Sequence, residues 1–409
     1  MKLLKAASLF SSGTFLSRVT GLLRDMATAA VFGATALSGA FFVAFRLSHL
    51  FRRLLGETPL TSSFIPLYSG LLGEERRRFF ADTYASLSLV VMGVIFVGEV
   101  FLYPFRGEEI VWLTMIMLPS LYFIVLFGLA SARMQVEHRF FLSGAAPMVF
   151  NGVWIFSLLW VRSVEALSFA VVFGFFIQWL CSLPLIITDF FAPFRPFSQR
   201  VRQMLPPFAL GIMGVSANQV NSALDALFAR AGEEAGPAYL FYAMRFYQLP
   251  VSLVGVALST ALLPKLVQSV TRTQDALEGR KWVFYLIVPA TLALIGLAPL
   301  GIQFLLGRGA FDEVAVRETV HCLWGYALGL LPSCLVMQLS AERYAEKDFR
   351  TPALASGVAV ATNLLLNTFM VFVMDWGAVS VAIATSLSAY ANYAMLSVSG
   401  RGIRTQELR

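Results

Sequence analysis

Long apolar runs, separated by short stretches that gather the charged residues, recur from one end of the chain to the other. A helix needs about 20 mostly apolar residues to cross the hydrocarbon core of a bilayer. Twelve segments reach that length: 9–33, 40–72, 80–105, 111–135, 140–161, 166–187, 204–229, 238–267, 282–306, 320–339, 352–373 and 379–398. The second and eighth are too long for a straight crossing and are expected to bend or to run past the bilayer. The pattern predicts an all-α polytopic membrane protein of about twelve transmembrane helices.

The charges between these runs alternate in number. Lys and Arg are retained on the cytoplasmic side of a membrane protein. With the termini and even-numbered loops on one side, that side holds 20 cations and the other holds five: Arg106, Arg162, Arg230, Arg308 and Arg317. This bias places both termini in the cytoplasm. The opening "MKLLKAASLF" resembles a signal peptide, but Arg18, Arg24 and Asp25 interrupt its apolar region, so an uncleaved first span is expected.

Composition sharpens the class. Of 409 residues, 58% are hydrophobic and 13% charged, against about 25% charged in soluble chains. Mean hydropathy is +0.73. The net charge of +7 follows from membrane orientation and not from a nucleic-acid surface, and no basic soluble module is expected to bind one. Cys181, Cys322 and Cys334 all lie in apolar runs and suit packing, with no metal spacing or disulfide framework.

The chain also repeats itself. "AFR" (44–46) returns as "AMR" (243–245), "TSSFIP" (61–66) as "STALLP" (259–264), and "LPS" (118–120) at 331–333. Each "LPS" precedes a polar loop, Arg133 with Glu137 in one and Arg343 with Glu346 in the other, and then Asn151 or Asn363. Four matches in the same order predict two homologous six-helix halves. Residues 1–190 form the N-terminal lobe, 191–202 a cytoplasmic linker, 203–400 the C-terminal lobe and 401–409 a cytoplasmic tail. Six spans per half is an even number, so the halves are parallel repeats, a common transporter plan.

Six cations and four acids remain inside the spans: Arg18, Arg24, Arg46, Arg52, Arg53 and Arg245, with Asp25, Glu57, Glu99 and Asp225. A charge at the bilayer centre costs roughly 2.5–3.5 kcal/mol on insertion scales, so these groups should face water or one another. Arg46, His49, Arg53 and Glu57 fall on one helical stripe, with Arg52 off it. Arg18 and Asp25 share a face, while Arg24 should point elsewhere. One reading makes Arg18–Asp25 and Arg53–Glu57 ion pairs that lock helices together. The other notes that cations exceed acids, so an anion must visit, and phosphate suits the planar donor fork of arginine.

In the second half, Asp225 and Arg245 should face each other; Asp225 could pair with Arg245, bind a cation or exchange a proton. Asn363, Asn367 and Thr385 read as interhelical hydrogen-bonding groups. With Asp225 they also make an all-oxygen set suited to a small hard cation.

"SRVTGLLRD" (17–25), "FGATALSGAFFVAFRL" (32–47), "LFRRLLGE" (50–57) and "FIPLYS" (64–69) resemble the MurJ (MviN) lipid II flippases, of the multidrug/oligosaccharidyl-lipid/polysaccharide exporter superfamily. "FYAMRFYQLPVSLVGVALSTALLP" (241–264) and "VAIATSLS" (381–388) extend the resemblance to the eighth and twelfth spans. It implies two six-helix lobes in a MATE-like V around a cationic cavity, in the bacterial cytoplasmic membrane. The implied activity is transport of lipid II, an undecaprenyl-pyrophosphate-linked muropeptide, from the inner to the outer leaflet for cell-wall synthesis. The implied substrate-binding residues are Arg18, Arg24, Arg52 and Arg245, with Arg53, Asp25 and Glu57 in the same motifs. Asp225, Asn363, Asn367 and Thr385 match the region of a sodium site. No cofactor is implied; energy would come from sodium or proton coupling or from the membrane potential. Membrane lipids and other cell-wall synthesis proteins are the implied partners.

The chain departs from the family at Gly39 and Met244, where an Asp is usual, and at Ser48-His49, where Pro-Asn is usual. It ends after twelve spans where fourteen are common, which bears on how a lipid tail is handled. Three other functions remain in view. An exporter of another polyprenyl-linked saccharide would use the same pyrophosphate chemistry. A membrane enzyme would need clustered acids or a positioned nucleophile and base, and the acids here are isolated. A non-transporting scaffold of cell-wall assembly needs neither.

Overall fold

The computed structural model describes residues 2–190, 192–268 and 272–407. Arg409, counted above among the cytoplasmic cations, lies outside them. Every regular element among the described residues is helical, and the chain divides into two compact units, Met1–Phe32 with Ala40–Ala223, and Gly33–Gly39 with Leu224–Arg409.

The first unit is built from α1 (Lys2–Phe32), α2 (Ala36–Leu55), α3 (Thr58–Ser69), α4 (Gly73–Leu102), α5 (Glu109–Met117), α6 (Ser120–Val136), α7 (Phe140–Ala145), α8 (Pro147–Ser157), α9 (Val164–Leu180), α10 (Leu183–Phe190) and the larger part of α11 (Gln199–Gly232). The second takes the first four residues of α2 and the end of α11, and adds α12 (Gly236–Pro250), α13 (Ala257–Gln268), α14 (Arg272–Leu305), α15 (Glu313–Ala327), α16 (Leu330–Ala345), α17 (Arg350–Phe372) and α18 (Gly377–Glu407).

All twelve apolar segments are helical, six of them as two successive helices. Eight helical stretches among the described residues are long and apolar enough to cross a membrane by length and composition alone. The helices α1, α2 and α11, which carry most of the span charges, are not among them.

The two overlong segments bend differently. In the second, α2 stops at Leu55, Gly56 N–H turns back to Arg52 O at 2.8 Å, and α3 restarts with a proline in its first turn. Proline has no N–H to give and restricts the residue before it, so a helix ends there readily. In the eighth, helix continues through Pro250 but widens into a π-helical stretch, Val251–Val256, before α13. A wide turn re-satisfies carbonyls that a proline leaves without a donor.

Burial follows the helix faces. In the first unit Leu60 and Phe64 of α3, Phe79 and Phe80 of α4, and Leu121, Val125 and Leu129 of α6 form one core that Ile186, Val201 and Met204 extend. In the second, Val283 and Ile287 of α14 meet Leu330 and Cys334 of α16, with Val251 and Val254 packed on them.

The internal repeat is visible in local geometry. α6 and α16 both end with a residue in the left-handed region, His138 (φ 60°) and Lys347 (φ 60°). In both, the next N–H reaches back five residues, Arg139 N to Met134 O at 2.8 Å and Asp348 N to Arg343 O at 2.9 Å. This is the Schellman pattern, which occupies carbonyls that the helix end leaves open. Arg133–Glu137 and Arg343–Glu346 sit beside the two caps as ion pairs, at 2.7 and 3.3 Å.

Candidate functional site

Three arginine environments occur in the first unit. Arg24 is buried on α1 and donates from Nε (3.0 Å) and Nη2 (2.7 Å) to Asp25 Oδ1, and from Nη1 to Asn151 Oδ1 on α8 (3.0 Å). Its guanidinium lies 4.9 Å from the centre of the Trp154 ring, whose Nε1 donates to Thr28 Oγ1 at 3.0 Å. Asn151 completes the clamp by donating to Ser17 O and Thr20 Oγ1, both at 3.1 Å. Charge-assisted bonds and the aromatic face together offset the cost of placing this cation in an apolar segment.

Arg46 is tied down separately, with Nη1 donating to Ser222 O of α11 at 3.0 Å. Arg52 is less constrained. It pairs with Glu57 at 3.3 Å, both side chains being partly accessible (31% and 44%), and its Nε is buried without a hydrogen-bond partner. Arg18 and Arg53 are exposed.

These pairings correct the sequence reading. Asp25 takes the neighbouring Arg24, which was expected to point elsewhere, and Glu57 takes Arg52 in place of Arg53. The second change has a backbone cause: α2 ends at Leu55, so Glu57 (φ −112°, ψ −125°) leaves the stripe that a continuous helix would have given it. His49 is buried one turn from Arg52 and Arg53, stacked on Phe45 with ring centres 4.0 Å apart. Its Nδ1 lies 2.7 Å from Phe45 O, and a carbonyl oxygen only accepts, so Nδ1 carries the proton.

The second unit holds the other polar centre. Asn367 Nδ2 donates to Asp225 Oδ1 (2.8 Å) and Asn363 Oδ1 (2.9 Å), and Asn363 Nδ2 reaches Thr385 Oγ1 at 3.5 Å. Thus α11, α17 and α18 bring together the four residues singled out for a cation. Asn367 Oδ1 is buried with no hydrogen-bond donor, the kind of spare oxygen a hard cation uses. Arg245 stacks on Phe241, 4.4 Å from its ring centre. Gly39 has a steric explanation: a Cβ there would lie 2.3 Å from Glu234 O, so the Asp usual in the family does not fit.

Sequence reasoning missed Asn151, Trp154 and Ser222 as arginine partners. A signal for the first was present, since Asn151 and Asn363 occupy matching places in the repeat. Each asparagine stands at the polar centre of its own unit.

The fold is that of a transporter class. An inward-facing multidrug MATE transporter of the MOP superfamily superposes with a TM-score of 0.75 at 14% identity, over 98% of this chain and 98% of that one. A solved structure described as lipid II flippase MurJ, inward closed conformation, gives 0.83 at 25% identity over 96% of this chain and 87% of that chain. A Chlamydia pneumoniae protein named "Probable lipid II flippase MurJ" is 32% identical over 414 residues, 94% of this chain and 75% of its own. Residues 28–401 match the family described as lipid II flippase MurJ, and the chain belongs to that family. It is a multi-pass membrane protein.

Proposed function

We propose that this chain is a lipid II flippase, a transporter and not an enzyme, which moves the lipid-linked muropeptide from the inner to the outer leaflet of the cytoplasmic membrane by alternating access. Both termini are cytoplasmic in this reading, supported by the 20-to-5 distribution of loop cations. The observation that carries it is the state of Arg52: a span arginine held only by a partly accessible carboxylate, with a buried Nε that no acceptor occupies. Pyrophosphate oxygens are the acceptors such a guanidinium takes best, several at once and in its own plane.

The arginines divide the work. Arg52 receives the pyrophosphate and gives up Glu57 as it does so. Arg53 and Arg18, exposed on the same two helices, add charge that draws the anion in. Arg24 and Asp25 form the rigid base of α1, because Arg24's donors are already committed to Asp25 and Asn151. Neutralisation of this cationic surface by the substrate favours the conformational change, and release outward restores the repulsion. Asp225, Asn363, Asn367 and Thr385 would hold a sodium ion, supplying a bound positive charge that resets the carrier; the membrane potential acts in the same direction on the empty cationic site.

The test is lipid II exposure at the outer leaflet of cells depleted of their own flippase, expressing this chain as wild type or Arg52→Ala at matched membrane levels. Rescue by wild type alone is expected. Full transport by a well-inserted Arg52→Ala protein would overturn the role of Arg52. Failure of wild type, with binding of a different polyprenyl pyrophosphate, would assign the chain to another lipid-linked saccharide.

A further inference from the structure

An apolar cavity lies one helical turn from Arg52. It measures about 90 Å³ and is lined by Leu55 of α2, by Thr83, Ser86, Leu87, Val90 and Val91 of α4, and by residues from Phe197 to Phe208 around the start of α11. Its two polar lining residues present no free hydroxyl. Thr83 Oγ1 donates to Phe79 O (2.7 Å), while Ser86 Oγ donates to Asp82 O (2.6 Å) and accepts Phe197 N–H (2.8 Å). The cavity therefore offers only carbon. Val90 and Leu205 at its edge are exposed, so hydrocarbon can enter between α4 and α11.

We propose that this cavity holds the first isoprene unit of a polyprenyl diphosphate whose phosphates sit on Arg52. The inference rests on the flippase reading and adds to it the position of the lipid's root. Arg52 and Leu55 are three residues apart, about 4.5 Å along a helix. In a prenyl diphosphate, hydrocarbon begins at the carbon bonded to the phosphate oxygen, so a purely apolar wall can start one turn from the anion site. A phospholipid interposes glycerol and ester carbonyls between phosphate and chain, and this cavity has no donor for them. Apolar cavities of roughly 150 Å³ take up benzene, so about 90 Å³ suits one branched five-carbon unit and no long run of chain. Tail and bilayer are equally apolar, so the cavity contributes little affinity. It sets where the tail leaves the headgroup.

The experiment uses the full chain in lipid vesicles and a short prenyl diphosphate bearing a photoreactive diazirine on its first isoprene unit, with labelled peptides mapped by mass spectrometry. Label is expected on the α4 and α11 walls, falling at least fivefold with Leu205→Trp, which fills the cavity from its exposed edge. Excess inorganic pyrophosphate and Arg52→Ala should also remove it. A photoreactive phosphatidylglycerol should not label these walls. Undiminished labelling in Leu205→Trp, no label on the walls, or equal labelling by phosphatidylglycerol each overturns the proposal. So does labelling that ignores pyrophosphate and Arg52, since the cavity would then take hydrocarbon from the bilayer. These readouts are separate from transport: an Arg52→Ala protein that still transports lipid II defeats the site reading, whereas labelling that persists in Leu205→Trp defeats only the cavity.

Discussion

Arg24 donates to Asn151 across α1 and α8 through a single 3.0 Å hydrogen bond, and the Asn151 Nδ2 group donates to Ser17 and Thr20 of α1. This asparagine holds a buried cation and a helix backbone in one grip. Asn151→Leu leaves a guanidinium nitrogen buried without its acceptor, which costs about 1.5–3 kcal/mol for a charged group. Purified protein should show a lowered unfolding temperature and lowered transport together. Arg24→Lys should not restore the grip, because a lysine cannot serve Asp25 and Asn151 with one planar fork. Normal stability in Asn151→Leu would remove Asn151 from this role.

Gly128 of α6 meets the turn between α2 and α3 backbone to backbone. A Cβ on Gly128 would lie 2.2 Å from Gly56 O. Neither atom is the end of a flexible side chain, so Gly128→Ala must push the turn away. The turn carries Glu57 back toward Arg52, and the expected outcome is loss of transport greater than loss of expression, with cysteine accessibility at position 57 increased. Unchanged transport in Gly128→Ala would show that the turn tolerates displacement.

The sodium proposal has a readout that does not require transport. An ion bound only by the folded protein stabilises it by mass action. Sodium, compared with choline at equal ionic strength, should raise the unfolding temperature of the wild type and leave Asp225→Asn unmoved. Asn367→Leu should behave like Asp225→Asn, since both remove oxygens from one connected group. A wild type indifferent to sodium would leave these residues as interhelical hydrogen bonds alone.

Much of this architecture is legible in the residues because hydrophobic length in a membrane protein is a strong constraint: with no water available in the hydrocarbon core, each apolar run must close its own hydrogen bonds as helix. The two overlong segments announced themselves by length, and Pro59 and Pro250 mark where they yield. The pairing of charges was less legible, and for a geometric reason. The helical wheel that joined Arg53 to Glu57 assumed that α2 continues, but it ends at Leu55 where Gly56 packs on Gly128. Periodicity does not report such a stop, because it depends on a residue more than seventy positions away. Arg24 was misjudged because Asp25, its neighbour in sequence, looked out of reach on a wheel; a long arginine can fold back to it once Trp154 supplies a surface.

Asp348 opens α17 from the loop that precedes it. Hydrogen bonds from Thr351, through its hydroxyl and its N–H, and from the Arg350 N–H hold its carboxyl below the ordinary aspartate value of 3.8. A carboxylate with a depressed folded pKa contributes stability that is fully present above its unfolded pKa and is lost as pH falls through the folded one. Asp348→Asn should therefore lower stability near neutrality by less than about 1 kcal/mol, the scale of a cap. The wild-type advantage should disappear in acid, below pH 3.8. An advantage that stays constant across that range would assign the effect to shape and not to charge.

The paired left-handed residues allow a test of the repeat itself. His138 and Lys347 hold φ of 60° at the ends of α6 and α16. A side chain in that conformation costs about 1–2 kcal/mol, against roughly 0.5–1 kcal/mol of extra chain entropy for glycine. His138→Gly and Lys347→Gly should each stabilise the protein by about 0.5–1 kcal/mol. Both positions follow an Arg–Glu ion pair at a helix end, so the two gains should be similar and, being far apart in sequence and in separate units, additive in the double variant. Thermal unfolding of the two single variants and the double variant checks this directly. A gain at one position with a loss at the other would mean that the two caps share a backbone shape but not a common local energy, and that the repeat has diverged at these helix ends.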